Sequence, residues 1–314
     1  MNKILQRHWF LVLLLAVLLT GMTLSSHLHG PLSQFPREVV VAIVMFITAL
    51  PMSFGQLTAA ARNVRAVGLA LVLSILVAPP LAWGIGHLLP TDLSVGLLIA
   101  ACVPCTLASA AVWTRRGGGN DAIALFVTLV TNLACFLVLP GWLWVMLGQK
   151  VKLDAWDLSQ RLLLLVVVPV IVAQVLRRST TVLEFAASSK TQLSLAAQVG
   201  VLSMVLFGAV SAGETLASVD SSSVPSYIWW WLVLLVLVMH LMLFALGWFG
   251  SRALGLKYAD QLPVAIAGSQ KTLMIGLDVA LLFSGLAVLP MVAYHIVQLV
   301  VDTLLVDRLK SRAE

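Results

Sequence analysis

Long apolar runs separated by short polar segments make up almost the whole chain. Ten stretches are predominantly apolar: 9–26, 36–55, 66–89, 93–113, 121–148, 158–177, 193–213, 226–250, 260–283 and 286–306. Each is long enough for an α-helix to cross the hydrocarbon core of a bilayer. Regular alternation of apolar and polar residues is absent from them, so they read as helices rather than barrel strands. The boundary between the last two is the faintest, marked only by Ser284-Gly285. The pattern predicts an all-α polytopic membrane protein of about ten transmembrane helices.

The polar segments test that count. With the N-terminus inside, the segments on that side hold fourteen lysines and arginines, and the other side holds four, Arg37, Lys150, Lys152 and Arg161. Positive charge is retained on the cytoplasmic side during insertion, so this asymmetry predicts an N-in, C-in protein of an inner or plasma membrane. One missed or invented span would scramble it. The first residues resemble a signal-peptide n-region, but the run from Trp9 is long enough to span and lacks a small-x-small cleavage site, so it is expected to stay as the first helix. Trp9, Trp142, Trp144 and Trp229-Trp230-Trp231 fall near predicted interfaces, where indole rings anchor helices.

Composition agrees. Of 314 residues, 61% are apolar and 10% charged, too little charge to cover a soluble surface of this size. The net charge of +6 comes without a basic stripe or interleaved aromatics, so nucleic acid is not an expected partner. Lipid is. Cys102, Cys105 and Cys135 lie inside apolar runs and carry no disulfide signal. The Cys102-x-x-Cys105 spacing lacks a second pair or a neighbouring histidine, and small residues for helix packing are the better reading. No HExxH, GxSxG or paired-carboxylate constellation occurs, so no enzyme and no cofactor is expected.

The polar stretch 149–161 divides the chain into two five-helix halves, 1–148 and 149–314. An odd number of spans makes the second half enter from the opposite side, which permits an inverted repeat of the kind found in secondary transporters. The fourth span of each half is irregular. In the first, Pro104 lies near the centre, removes a backbone donor and frees carbonyls at membrane depth, with Thr106 and Ser109 close by. In the second, Gly268-Ser269-Gln270-Lys271-Thr272 takes the corresponding place. An ammonium at mid-bilayer is costly unless paired or wet, which marks Lys271 as functional. Pro104 and Gly268 are therefore the expected helix breaks. Asp278, two turns after Lys271, is a candidate charge partner if the helix runs on. Thr128 and Asn132 share a face of the fifth span, as do His295, Gln298 and Asp302 on the tenth. His240 alone reads as a satisfied bundle histidine.

These residues resemble the bile acid:sodium symporter superfamily, in its SBF-like branch. The resemblance is carried by the segment from Pro104 through Arg115-Arg116-Gly117-Gly118-Gly119-Asn120-Asp121 to Thr128 and Asn132, and by Gly268-Ser-Gln-Lys-Thr-Leu-Met-Ile-Gly276. It implies a panel of helices 1, 2, 6 and 7, a core of helices 3–5 and 8–10, and helices 4 and 9 crossing where each is unwound. In sodium-coupled relatives, polar residues of helices 4, 5 and 9 hold the ions near that crossing, and Ser109, Thr128 and Gln270 match such positions. Ala110 stands where relatives carry an asparagine, and Lys271 follows Gln270 with no carboxylate before it.

A fixed ammonium repels a bound sodium, which prefers several hard oxygen ligands. The expectation is a secondary transporter that moves a small organic anion by alternating access, with Lys271 in place of sodium and with sodium or a proton as candidate coupling ions. The candidate substrate or ion site is Thr106, Ser109, Thr128, Asn132, Ser269, Gln270, Lys271 and Thr272. Two other readings stand beside it. One is an arsenite efflux carrier using Cys105, with Val112-Trp113 following. The other is a non-transporting membrane regulator of ion homeostasis. Substrate, direction of transport and oligomeric state have no sequence signal.

Overall fold

The computed structural model describes residues 3–52, 60–107, 109–148, 154–218 and 225–313, and all regular structure among them is helical. In order the helices are α1 (Lys3–Thr23), α2 (Ser25–Ser33), α3 (Arg37–Ala49), α4 (Val64–Gly86), α5 (Thr91–Cys102), α6 (Ser109–Arg116) and α7 (Asp121–Leu147). The rest are α8 (Ala155–Leu176), α9 (Thr180–Ser188), α10 (Lys190–Ser218), α11 (Tyr227–Ala253), α12 (Tyr258–Ser269), α13 (Leu273–Ala280) and α14 (Val288–Ala313). Among the described residues six helices are long and apolar enough to cross a membrane, and α1 with α2, bent by 97° at Leu24, makes a seventh. The first apolar run is thus one straight helix to Thr23 and turns only at its end. Lys150 and Lys152 lie outside the described residues, as does the side chain of Trp9.

Most helix contacts fall into two layers, which are joined where α8 lies against α7 and where α13 touches α10 and α3. In one, α1 and α3 lie against α10, and α3 against α8. In the other, α11 packs on α12 and α14, α12 on α4 and α7, and α14 on α5. Small residues let the axes approach. A Cβ at Gly247 would lie 2.7 Å from the Ala265 backbone, and one at Gly21 would lie 2.6 Å from the Ala209 methyl, so neither position accepts a larger residue without a shift. Large apolar side chains such as Leu137, Leu164, Phe249 and Leu304 stay exposed on the outer surfaces, as lipid-facing residues do.

Two ends of the bundle differ in charge. At the basic end, Arg115 bonds Asp121, Arg116 bonds Asp307 at 2.7 Å, and the Tyr258 hydroxyl donates to the Gly117 carbonyl at 3.0 Å. Gln174 of α8 and Arg177, just past its end, donate there to the carbonyls of Ala49 and Met52. At the far end, Arg37, Glu38, Arg161 and Asp278 meet.

Proline explains an irregularity in α4. Pro79 and Pro80 have no N–H to give, and the preceding turns widen into a π-helix over Val72–Val77. The Ala78 N–H then reaches back to Leu73, leaving the Ser74 and Ile75 carbonyls without helical donors. The Trp142 indole fills the second, donating to the Ile75 carbonyl at 2.8 Å. Trp142 therefore serves an interhelical bond where the sequence suggested an interface anchor, whereas Trp144 and Trp230 remain exposed.

Candidate functional site

Two helical paths are interrupted at depth. Val103–Leu107 lie outside regular helix between α5 and α6, and Gln270–Thr272 separate α12 from α13. Val103 is extended at φ −67° and ψ 154°, as the residue before a proline tends to be. Gln270 and Thr272 are also extended, at φ −72° and ψ 141° and at φ −79° and ψ 129°. The second break falls two residues beyond Gly268, which corrects the expected position. Gly268 lies inside α12, where a Cβ would come within 3.2 Å of Leu73, so it serves close packing on α4. The two breaks touch, with the Thr272 N–H donating to the Pro104 carbonyl at 2.8 Å.

Broken backbone survives at such depth only when its polar groups are satisfied by protein. Each break is served by the long helix that follows it. From α7, the Asn132 amide donates to the carbonyls of Cys105 and Thr128, and Thr131 Oγ1 accepts from the Cys105 N–H at 3.2 Å. Thr128 donates weakly to Cys105 Sγ and the Thr106 carbonyl, each at 3.4 Å. From α14, the Tyr294 hydroxyl donates to the Ser269 carbonyl at 2.7 Å. Gln298 accepts from the Lys271 N–H at 2.8 Å and donates to its carbonyl at 2.9 Å. Asp302 accepts from the Gln270 amide at 2.5 Å and pairs with His240 Nε2 at 2.9 Å. His240 is thus a bonded bundle histidine, although its Nδ1 has no partner among the described residues.

Lys271 is fully buried in the second break. Its ammonium donates to the Ser74 carbonyl at 2.8 Å, the Ser74 hydroxyl at 3.0 Å and the Val103 carbonyl at 3.3 Å. Three donors therefore meet three neutral oxygens. One is the carbonyl released by the π-turn of α4, and another belongs to the residue that caps the C-terminus of α5, the negative end of a helix dipole. Among the described residues no carboxylate lies within ion-pair distance of the ammonium. Asp278, the expected charge partner, binds Arg161 with both carboxylate oxygens at 2.8 and 3.0 Å. The break before α13 removes the continuous helical register on which that expectation stood.

A cavity of about 410 Å³ lies beside the breaks. Thr106 and Ser109 line it from the start of α6, Thr272 and Leu273 from the start of α13, with Gln198 and His295. A second cavity, of about 700 Å³, shares Thr48, Leu107, Val112 and Gln198 with the first and reaches Arg115 and Lys190 at the basic end. The two cavities adjoin at these shared residues, the second nearer the basic end. Among the described residues no carboxylate lines either. Thr106 and Ser109 hydroxyls lie 2.5 Å apart, and Ser109 donates to Gln270 Oε1 at 2.8 Å, linking the cavity to the second break.

Of the sequence-derived site residues, Thr106, Ser109 and Thr272 line the cavity. Thr128, Asn132, Ser269, Gln270 and Lys271 sit behind it and hold the breaks in shape. Cys105 is fully buried against α7 and is not among the lining residues. Sequence reasoning missed Ser74, whose signal was its place four residues before Ala78-Pro79-Pro80, and it missed the arginines that take up Asp278.

Two helical breaks in contact, each satisfied by the next helix and opening on a central cavity, define the class: a membrane protein built like a secondary carrier. The chain belongs to the SBF-like CPA transporter family, whose model matches residues 8–311. It is 30% identical over 236 residues to the probable sodium/metabolite cotransporter BASS4, chloroplastic, of Arabidopsis thaliana, covering 70% of this chain and 53% of that protein. The chain thus spans about half the length of this plant relative. It is 23% identical over 324 residues to sodium/bile acid cotransporter 7 of Rattus norvegicus, covering 98% of this chain and 93% of the relative. An uncharacterized Bacillus subtilis protein, YbaS, is 29% identical over 153 residues, 48% of this chain and 49% of its own. This family and its cotransporter relatives are transporters, not enzymes, and the chain is an integral membrane protein.

Proposed function

We propose that the protein is a secondary carrier for a small organic anion, and that the Lys271 ammonium stands where a coupling cation would otherwise sit. The observation that carries this reading is the setting of Lys271. Its charge is held by the freed Ser74 carbonyl, the Ser74 hydroxyl and the Val103 carbonyl beside a half-helix C-terminus. Broken helices of transporters hold cations with just such groups. A tethered ammonium supplies the charge permanently and leaves no room for an ion.

The cavity favours an anion. The first turns of α6 and α13 both line it, and α13 has no side-chain cap. Exposed N–H groups at helix N-termini attract negative charge. Lys190 stands at the mouth, where it draws anions inward, beside Arg115, whose charge is shared with Asp121. The same features argue for ten spans in a 5+5 inverted repeat, because α5–α6 and α12–α13 each run 12 and then 8 residues and each is served by the helix after it. In this reading α1, α3, α8 and α10 form the panel, the other long helices form the moving core, and both termini are cytoplasmic. The structure described above is then the inward-open state.

Uptake into proteoliposomes of short mono- and dicarboxylates and a bile acid, with sodium or potassium gradients and with or without a pH gradient, tests the reading. Sodium-independent flux that Lys271→Met abolishes is expected. Flux that requires sodium would refute the replacement, and the pH arm separates proton coupling from uncoupled transport.

A further inference from the structure

The far end holds a charged cluster that no other feature of the carrier uses. Arg161, in α8, donates Nε to Asp278 Oδ2 at 3.0 Å and Nη2 to Asp278 Oδ1 at 2.8 Å. The same Nη2 donates to Glu38 Oε1 at 2.9 Å. Arg37 Nε lies 3.6 Å from both Glu38 Oε1 and Asp278 Oδ1. Two guanidinium groups and two carboxylates balance to zero. The Asp278 side chain is 1% exposed, while Arg161 is 25% and Glu38 39% exposed.

Where these four residues come from matters more than their number. Arg37 and Glu38 open α3, and Arg161 belongs to α8, both in the first layer. Asp278 lies near the end of α13, the half-helix beyond the second break. The cluster therefore ties α3 and α8 of the first layer to α13, which packs on α14 and α5 of the second layer as well as on α10 and α3. On its outer side a cavity of about 400 Å³ is lined by His29, Ser33, Arg37, Glu38, Ser211 and Leu281. On its inner side, Met274 and Val44 line the central cavity. Asp278 is one helical turn from Met274, and Glu38 is under two turns from Val44, so roughly 6–10 Å of protein separates the two spaces. Val41 and Leu277, both buried, stand in that barrier.

We propose that Arg161, Arg37, Glu38 and Asp278 form a latch that closes the far face and must separate before the central cavity can open there. This rests on the carrier reading, because only alternating access requires the barrier to open. Lys271 and its acceptors all lie in one layer and move together, whereas Asp278 has to leave its arginines if the layers shift. A contact made in only one state biases the equilibrium toward it, and neutralising it moves population to the other.

The test uses the full chain in sealed vesicles with a single reporter, Thr48→Cys, at a part-buried position that lines both inner cavities, and a membrane-impermeant thiol reagent added from either face. Cys102, Cys105 and Cys135 are buried. The parent should react from the basic end and slowly from the far end. Asp278→Asn should raise far-face labelling about tenfold, and Arg161→Lys, which keeps charge but loses the two-pronged grip, about threefold. Size-exclusion profiles report folding. If Asp278→Asn does not fold, Arg161→Lys decides. Far-face labelling that is fast in the parent, or unchanged in a folded variant, would overturn the latch. Unchanged labelling with intact flux removes the latch and spares the carrier. Raised labelling with no flux for any solute does the reverse.

Discussion

Two basic side chains meet the broken path α12–α13 in opposite ways. Lys271 lies in the break, wholly buried, and gives its three donors to neutral oxygens of α4 and of the α5 cap. Arg161 meets the far end of the same path, a quarter exposed, and gives its donors to two carboxylates. The first arrangement stays within one layer and the second crosses between layers. A charge held within one layer can replace a ligand that would otherwise come and go. A charge across two units can only fasten or release them. The difference separates a fixed part of the site from a breakable one.

Substitutions sharpen this contrast. The largest effect is expected from Lys271→Glu, which sets a carboxylate against two carbonyls and a hydroxyl in a closed pocket. It should cost more than about 4 kcal/mol and leave little folded protein on thermal unfolding in detergent. Lys271→Met removes the charge but fills the space. It leaves the Ser74 and Val103 carbonyls unpaired, at about 1–3 kcal/mol each, and the unfolding midpoint should fall accordingly. Asp278→Asn breaks the contact between layers, and part of that contact is wet. A loss of about 1–2 kcal/mol is expected, smaller at high salt, whereas the Lys271 variants should be insensitive to salt. Trp142→Phe strands the Ile75 carbonyl beside the π-turn, for about 1–2 kcal/mol. Ser74→Ala takes away one of the three acceptors and keeps the carbonyl, so about 1 kcal/mol is expected. If Ser74→Ala proved as damaging as Lys271→Met, the hydroxyl would outweigh the carbonyl in holding the ammonium.

Much of this arrangement is legible before any coordinates. The apolar runs mark the helices, and Pro104 marks the first break because proline and the residue before it have few conformations open to them. The second break has no proline. Its position was placed at Gly268, the most permissive residue nearby, while the chain parts at Gln270–Thr272, where α14 supplies partners for the freed backbone. That support comes from residues far away in sequence, so local pattern could not reveal it. Lys271 stood out because a buried ammonium is rare. Its acceptors did not, since Ser74 becomes available only through a π-turn that depends on two prolines in another helix. Asp278 was drawn to Lys271 by helical spacing that the break itself cancels. Its true partner is 117 residues away.

The most direct test of the central claim needs no substrate. Thermal unfolding of the purified protein can be followed in sodium and in potassium at equal ionic strength, beside Lys271→Met. A ligand that binds the folded state raises the midpoint, and an ion already replaced by a tethered charge cannot. The prediction is no sodium-specific shift in the parent chain. A sodium-specific stabilisation of the parent would show an ion bound alongside Lys271 and would contradict the replacement.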